Sequence, residues 1–146
     1  MRTPKTVLVF GTLDVLHAGH RYFLRRAKSL GDRLAVSLSR DDFVRSFKGK
    51  IPRYNENERR LRLEASGLAD VVYLSDSVPG SYDILVKTRP DIVCLGYDQD
   101  ELEENLRSWL QARRWGIRLV RLERKPERDR EGSKEFTPGS RSSGDA

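Results

Sequence analysis

Apolar runs and polar gaps alternate through this chain with two different periods. Residues 5–10, KTVLVF, are a short β-branched run cut off at Gly11, which predicts a buried strand. In the following GHRYFLRRAKSLG, Tyr22, Phe23, Ala27 and Leu30 return at helical spacing, and Gly31 reads as the stop. RLAVSLS, DVVYLS, DIVCLG and IRLVRLE are four more strand-like runs, starting at Arg33, Asp70, Asp91 and Ile117. Between the second and third lies YNENERRLRLEASGL, a helix with Asn55 as cap, Glu58 three residues on, and Leu61, Leu63 and Leu68 for apolar contacts. GSYDILVKT predicts a helix halted before Pro90. QDELEENLRSWLQARRWG predicts one that begins acidic, ends basic and is closed by Gly116.

Strands alternating with helices at this spacing make βαβ units. The predicted fold is a single doubly wound, Rossmann-like α/β domain, a five-stranded parallel sheet with helices on both faces. A length of 146 residues suits one domain. The expected division is 1–124 for the folded domain and 125–146 for a charged tail with only Phe136 and Ala146 apolar. That composition predicts disorder in the absence of ligand. No signal peptide is recognisable, and no apolar run approaches the roughly 20 residues of a membrane span. The single cysteine, Cys94, excludes an internal disulfide and fits a reducing compartment. A soluble cytoplasmic protein is expected.

Charge sharpens this picture. The formal net charge is +6, and the segment from Lys125 onward is neutral, so the excess sits in residues 1–124. A basic domain of this kind binds nucleic acid, an anionic membrane or small phosphorylated ligands. The aromatic residues are not interleaved with the basic ones, which argues against a nucleic-acid module.

The chemistry concentrates in GTLDVLHAGH, residues 11–20, which holds both histidines of the chain. Ligands of such sheets sit in the loops after the strands, and this is the first strand-to-helix loop. Gly11 lets the backbone turn tightly. The helix start offers N–H groups and a positive dipole end, Thr12 a hydroxyl, and His17 and His20 ring donors. That is an anion site, and phosphate is the expected anion. The plainer reading is that the histidines only cap the first helix. No G-x-G-x-x-G and no G-x-x-x-x-G-K-[ST] occurs. A zinc site on His17 and His20 would lack further ligands, since one cysteine and no third histidine exist.

GTLDVLHAGH resembles the G-x-F-D-x-x-H-x-G-H signature of the cytidylyltransferase-like nucleotidyltransferases, with Leu13 where phenylalanine is usual. FKGKIPRYNENERR is similar to that group's lysine-bearing loop and its Y-x-x-x-E-R helix. RPDIVCLGYDQ resembles the fourth-strand motif of the archaeal-type FAD synthase branch. The likeness covers residues 6–123.

The resemblance implies that a phosphorylated acceptor attacks the α-phosphate of a nucleoside triphosphate and releases pyrophosphate, with no covalent enzyme intermediate. It implies FMN and ATP as the pair. The alternative is CTP or ATP with glycerol 3-phosphate or another phosphorylated alcohol or sugar. His17, His20 and Lys48 are the implied catalytic residues. Phe10, Gly11, Thr12, Leu13, Gly96, Asp98 and Gln99 join the histidines around the nucleotide, and Asp14, Lys50 and Arg59 attend the acceptor or its phosphate. Magnesium is expected on the substrate phosphates, with no protein ligand. A homodimer is also implied.

Each assignment has a plainer counterpart. Lys48 and Lys50 can be solvated loop charges, Arg59 can decorate a helix beside Arg60 and Arg62, and Asp98 can cap the next helix. Cys94, Trp109 and Trp115 read as packing. The family's late Ser/Thr-rich motif has only a loose counterpart in Ser140, Arg141, Ser142 and Ser143. Either the tail closes over nucleotide, or contacts to the far phosphate come from elsewhere.

Overall fold

The computed structural model describes residues 3–126. Ten elements follow one another: β1 (Thr6–Gly11), α1 (Ala18–Lys28), β2 (Arg33–Leu38), α2 (Asp41–Lys48), α3 (Glu56–Ser66), β3 (Val71–Leu74), α4 (Asp83–Thr88), β4 (Ile92–Leu95), α5 (Asp100–Ala112) and β5 (Arg118–Arg121). The five strands form one parallel sheet in the order β3-β2-β1-β4-β5. This is the doubly wound, Rossmann-like α/β architecture expected from the alternation of elements.

Strand side chains divide between two cores by their period of two. Val7, Val9, Leu34, Val36, Leu38, Ile92 and Cys94 point to one face, where Leu24 and Ala27 of α1 and Leu63 of α3 cover them. Leu8, Ala35, Val93 and Leu95 point to the other, against Ile84 and Leu85 of α4 and Leu106, Trp109 and Leu110 of α5. Each fully buried aliphatic side chain contributes about 1.5–3 kcal/mol. Burial pushes the Cys94 thiol up to about 12, so it is a core residue rather than a nucleophile. Trp109 packs as expected, with its indole N–H donating to the Ser81 carbonyl at 3.1 Å.

Two local expectations change, and one element is new. Residues 41–48, unassigned in the sequence apart from Phe47 and Lys48 at the start of the lysine-bearing loop, form the helix α2. Asp41 and Asp42 stand in its first turn, Arg45 and Lys48 in its last, and Gly49 ends it at φ 64°. Gly31 does not stop α1, which ends at Lys28 with Ser29 as its cap. A side chain at Gly31 would lie 2.8 Å from Val7 Cγ2 and 2.9 Å from the Lys5 carbonyl oxygen, so close approach to β1 accounts for this glycine. Gly116 does not close α5 either. The helix ends at Ala112, and the reversal falls on Arg114 at φ 52°.

The capping box before α3 forms as read. Asn55 Oδ1 accepts the Glu58 N–H at 2.8 Å, and Glu58 Oε1 accepts the Asn55 N–H at 2.9 Å. Most of the segment 125–146, including Ser140, Arg141, Ser142 and Ser143, lies outside the described residues.

Candidate active site

Strand β1 delivers its loop at the carboxyl edge of the sheet, beside the point where strand order reverses between β1 and β4. That is where doubly wound sheets bind ligands. The loop does not relax into an ordinary turn. Leu13 holds φ 48°, and its side chain is buried in the core under α1 and α3. A left-handed non-glycine residue costs about 1–3 kcal/mol and persists where surrounding packing holds it. Leu13 therefore acts as an anchor that shapes the turn.

Behind this anchor the two histidines form one unit. His17 is the N-cap of α1, and its Nδ1 accepts the backbone N–H of His20 at 3.2 Å. The capping role is thus real for His17, and it fixes the ring. His20, itself buried, donates from Nδ1 to the Val15 carbonyl at 2.9 Å. The rings stack with centroids 3.7 Å apart and planes 17° apart. Both imidazoles are thereby oriented at the positive end of an 11-residue helix.

On the β2 side, the chemistry converges on the same loop. Lys48 Nζ donates to Thr12 Oγ1 at 2.7 Å, which sets a cation beside the loop hydroxyl. Asp14 accepts the backbone N–H groups of Arg53 and Tyr54 at 2.8 and 3.0 Å. It braces the loop against the segment between α2 and α3. Lys50 follows α2 and is exposed.

Arg59 is placed differently from the expectation of a phosphate contact. Its side chain has no exposed surface. Its guanidinium donates to the carbonyls of Tyr54, Thr12 and Ser39 at 3.0, 3.0 and 2.9 Å, and to Asp41 Oδ1 at 2.7 Å. With those donors engaged inside the protein, Arg59 holds the loop, the end of β2 and α2 together. It does not reach the site surface.

On the other side, Gln99 clamps β4 to β1. Its Oε1 accepts the Gly96 N–H at 2.9 Å, and its Nε2 donates to the Phe10 carbonyl at 3.0 Å. The Phe10 ring meets Tyr82 edge-on at 6.1 Å. A Cβ at Gly96 would lie 3.4 Å from Asp98 Oδ1 and 3.6 Å from Gln99 Oε1, in ordinary contact with the side chains of its own turn. Asp98 sits exposed on this turn, but it does not cap α5: the cap position belongs to Gln99.

Two supporting groups escaped the sequence reading. Asp41 completes the Arg59 cluster and exchanges hydrogen bonds with Glu56, each carboxylate accepting the other's backbone N–H at 2.8 and 3.1 Å. Its signal was present in the acidic RDD before a short amphipathic stretch. Arg121, in β5, donates to the Tyr97 carbonyl at 3.0 Å and pairs with Asp100 at 2.8 Å and with Glu103. The Arg121 and Arg107 hydrogen bonds hold the Glu103 carboxyl below its ordinary range. No local signal in IRLVRLE marks Arg121 as a partner of the β4–α5 turn.

The family model described as cytidylyltransferase-like matches residues 8–134, from β1 through the whole sheet. The chain belongs to the cytidylyltransferase-like family. It is a nucleotidyltransferase, with a nucleoside triphosphate and a small acceptor as the substrate classes. Among its relatives, the FAD synthase of Aciduliprofundum boonei is 36% identical over 89% of this chain and 86% of its own length. The FAD synthase of Methanosarcina barkeri is 40% identical over 80% of this chain and 81% of its own. A solved structure from Thermoplasma volcanium, described as a lipopolysaccharide core biosynthesis protein, superposes with a TM-score of 0.78. It is 31% identical and covers 85% of this chain and 100% of its own. Among the described residues, no helix is long and apolar enough to cross a membrane.

Proposed function

We propose that this chain is an FAD synthase, transferring the adenylyl unit of ATP to the phosphate of FMN with release of pyrophosphate. The observation that carries the reading is the likeness to archaeal FAD synthases at 35–40% identity over most of the chain. The convergence of Thr12, His17, His20 and Lys48 on one loop supports it.

In this mechanism an FMN phosphate oxygen forms a bond to the α-phosphorus as the bond to the pyrophosphate oxygen breaks. Negative charge grows on the α-phosphate oxygens and on the leaving group. The start of α1 and the ring nitrogens of His17 and His20 stabilise it by preorganised donation. With Nδ1 donating to Val15, His20 turns Nε2 toward the phosphate and donates from it as the imidazolium. Lys48 moves from Thr12 Oγ1 onto the phosphates and draws the two anionic substrates together. Lys50 assists at the acceptor phosphate. Asp14 keeps the loop registered against residues 53 and 54. Gly11, Leu13, Gly96 and Asp98 shape the nucleotide crevice, which Gln99 and the Phe10 carbonyl hold closed at its base. Arg59 acts as a positioning residue beneath it.

Among the described residues, no group of three His, Cys, Asp or Glu side chains is placed to hold a metal. Magnesium is proposed to ride on the substrate phosphates, where it would supply charge neutralisation. The enzyme is proposed to work in the cytoplasm as a homodimer, with sedimentation as the check on its size.

The test is to incubate the protein with magnesium, FMN and either ATP or CTP and to separate the flavin products. FAD from ATP is expected. His20→Ala should lower kcat about 100–1,000-fold, measured on protein that circular dichroism shows to be folded. Wild-type activity in that variant rules out the role given to the loop. No dinucleotide from either donor rules out the flavin reading and directs the assay to glycerol 3-phosphate and sugar phosphates.

A further inference from the structure

Helix α2 carries an apolar surface that the catalytic groups do not use. Phe43 and Phe47, one turn apart, stack with centroids 5.0 Å apart and planes 27° apart. Phe47 is 65% exposed, and Ile51, just past the Gly49 reversal, is 85% exposed. Single exposed apolar residues are ordinary. Two of the most exposed large apolar residues of the described chain, four positions apart at the mouth of a substrate site, are not.

Their position says what covers them. Phe47 is the chain neighbour of Lys48, about 3.8 Å away at the Cα atoms, and Lys48 reaches Thr12 at 2.7 Å. Phe47 therefore stands one residue, and Ile51 three residues, from the cation expected to hold phosphate. The strand-order reversal lies between β1 and β4, so the nucleotide takes that crevice and the acceptor approaches from the β2 side, where α2 follows. In the proposed mechanism an acceptor bound there has its phosphate at Lys48 and Lys50, with its remaining bulk along α2. Arg45, Lys50 and Arg53 surround the apolar residues in sequence. A planar ring with apolar faces and polar edges matches such a platform.

We propose that Phe47 and Ile51 form the subsite for the flat heteroaromatic ring of the acceptor, with Phe43 backing the Phe47 ring. The platform selects a flavin over smaller phosphorylated alcohols, which carry no ring to lay against it. This rests on the FAD synthase reading and adds to it the source of acceptor specificity. Phe47 and Ile51 touch no reacting atom, so they govern acceptor affinity and leave nucleotide binding alone.

Steady-state kinetics of FAD formation by the full chain test the proposal. Phe47→Ala keeps a good helix former in α2 and removes the platform, as does Ile51→Ser beyond the helix. KM for FMN should rise about tenfold in Phe47→Ala, with KM for ATP and kcat within about twofold. Riboflavin, which has the ring without the phosphate, should lose inhibition by the same factor, and inorganic phosphate should not. Phe47→Trp should restore the low KM and quench flavin emission on binding. FAD formation with an unchanged KM for FMN in both Phe47→Ala and Ile51→Ser overturns the subsite and leaves the reaction standing. A dimer that becomes a monomer in Phe47→Ala while KM for FMN is unchanged gives the patch to a second copy of the chain, and also overturns it. No FAD from the wild type overturns the reaction and the subsite together.

Discussion

The two flanks of the β1 loop are held by opposite means. Toward β2, a guanidinium with no exposed surface gathers three carbonyls and Asp41. Toward β5, Arg121 ties the Tyr97 carbonyl to Asp100 and Glu103 near the surface, with a third of its side chain exposed. A buried charge that loses its partners is expensive, whereas exposed pairs contribute about 0–1 kcal/mol. The β2 flank is therefore rigid by construction. The β4–α5 flank rests on more exposed pairs, which rearrange at little cost.

The largest expected effect breaks the rigid flank. Arg59→Ala leaves Asp41 and three carbonyls short of their donor and should lower unfolding free energy by about 3–5 kcal/mol, read from urea denaturation. Arg59→Lys restores the charge but not the fork and should recover only part of that loss. A loss under about 1 kcal/mol for Arg59→Ala would make the two flanks energetically alike.

Between the flanks stands Gln99. Gln99→Leu leaves the Gly96 N–H and the Phe10 carbonyl without their side-chain partner, at a cost of about 1–3 kcal/mol. Because it loosens the crevice at its base, KM for ATP should rise more than KM for FMN. Equal changes in both would show that the clamp serves the fold alone.

The smallest effect belongs to the surface cluster. Arg121→Ala should change Tm by little at neutral pH, and less still at high salt. Its signature lies in acid. The Glu103 carboxyl is held below its ordinary value of 4.5 chiefly by its hydrogen bonds to Arg121, then to Arg107. The carboxylate therefore contributes stability above that value, and the contribution fades as pH falls through the lowered native value. Melting curves from pH 3 to 7 should show a shallower acid loss in Arg121→Ala than in the wild type.

How much of this was legible follows the range of the forces involved. The strands announced themselves through runs such as VLVF and IVCL, where both neighbours and both faces are apolar. The α3 capping box needed only Asn55 and Glu58, three residues apart. Helix α2 escaped because it is only eight residues long with one buried residue, Val44, so the helical spacing of Phe43, Val44 and Phe47 spans barely two turns. Arg59 in ERRLR looks like any solvated arginine, since the carbonyls that bury it come from Thr12, Ser39 and Tyr54. Gly31 and Gly116 mislead for a related reason. A glycine that follows a helix reads as its stop, yet Gly31 answers to the distant Lys5 and Val7.

The exchange of hydrogen bonds between Asp41 and Glu56 reaches beyond the static picture. Each residue opens a helix, and each start is satisfied by the carboxylate of the other. Neither first turn can fray alone without orphaning a donor in its neighbour. The beginnings of α2 and α3 therefore open as one unit, and their amides should exchange with solvent deuterium at a common rate. Lys48 rides at the far end of that unit, so the persistence of its bond to Thr12 depends on α3 as well as on α2.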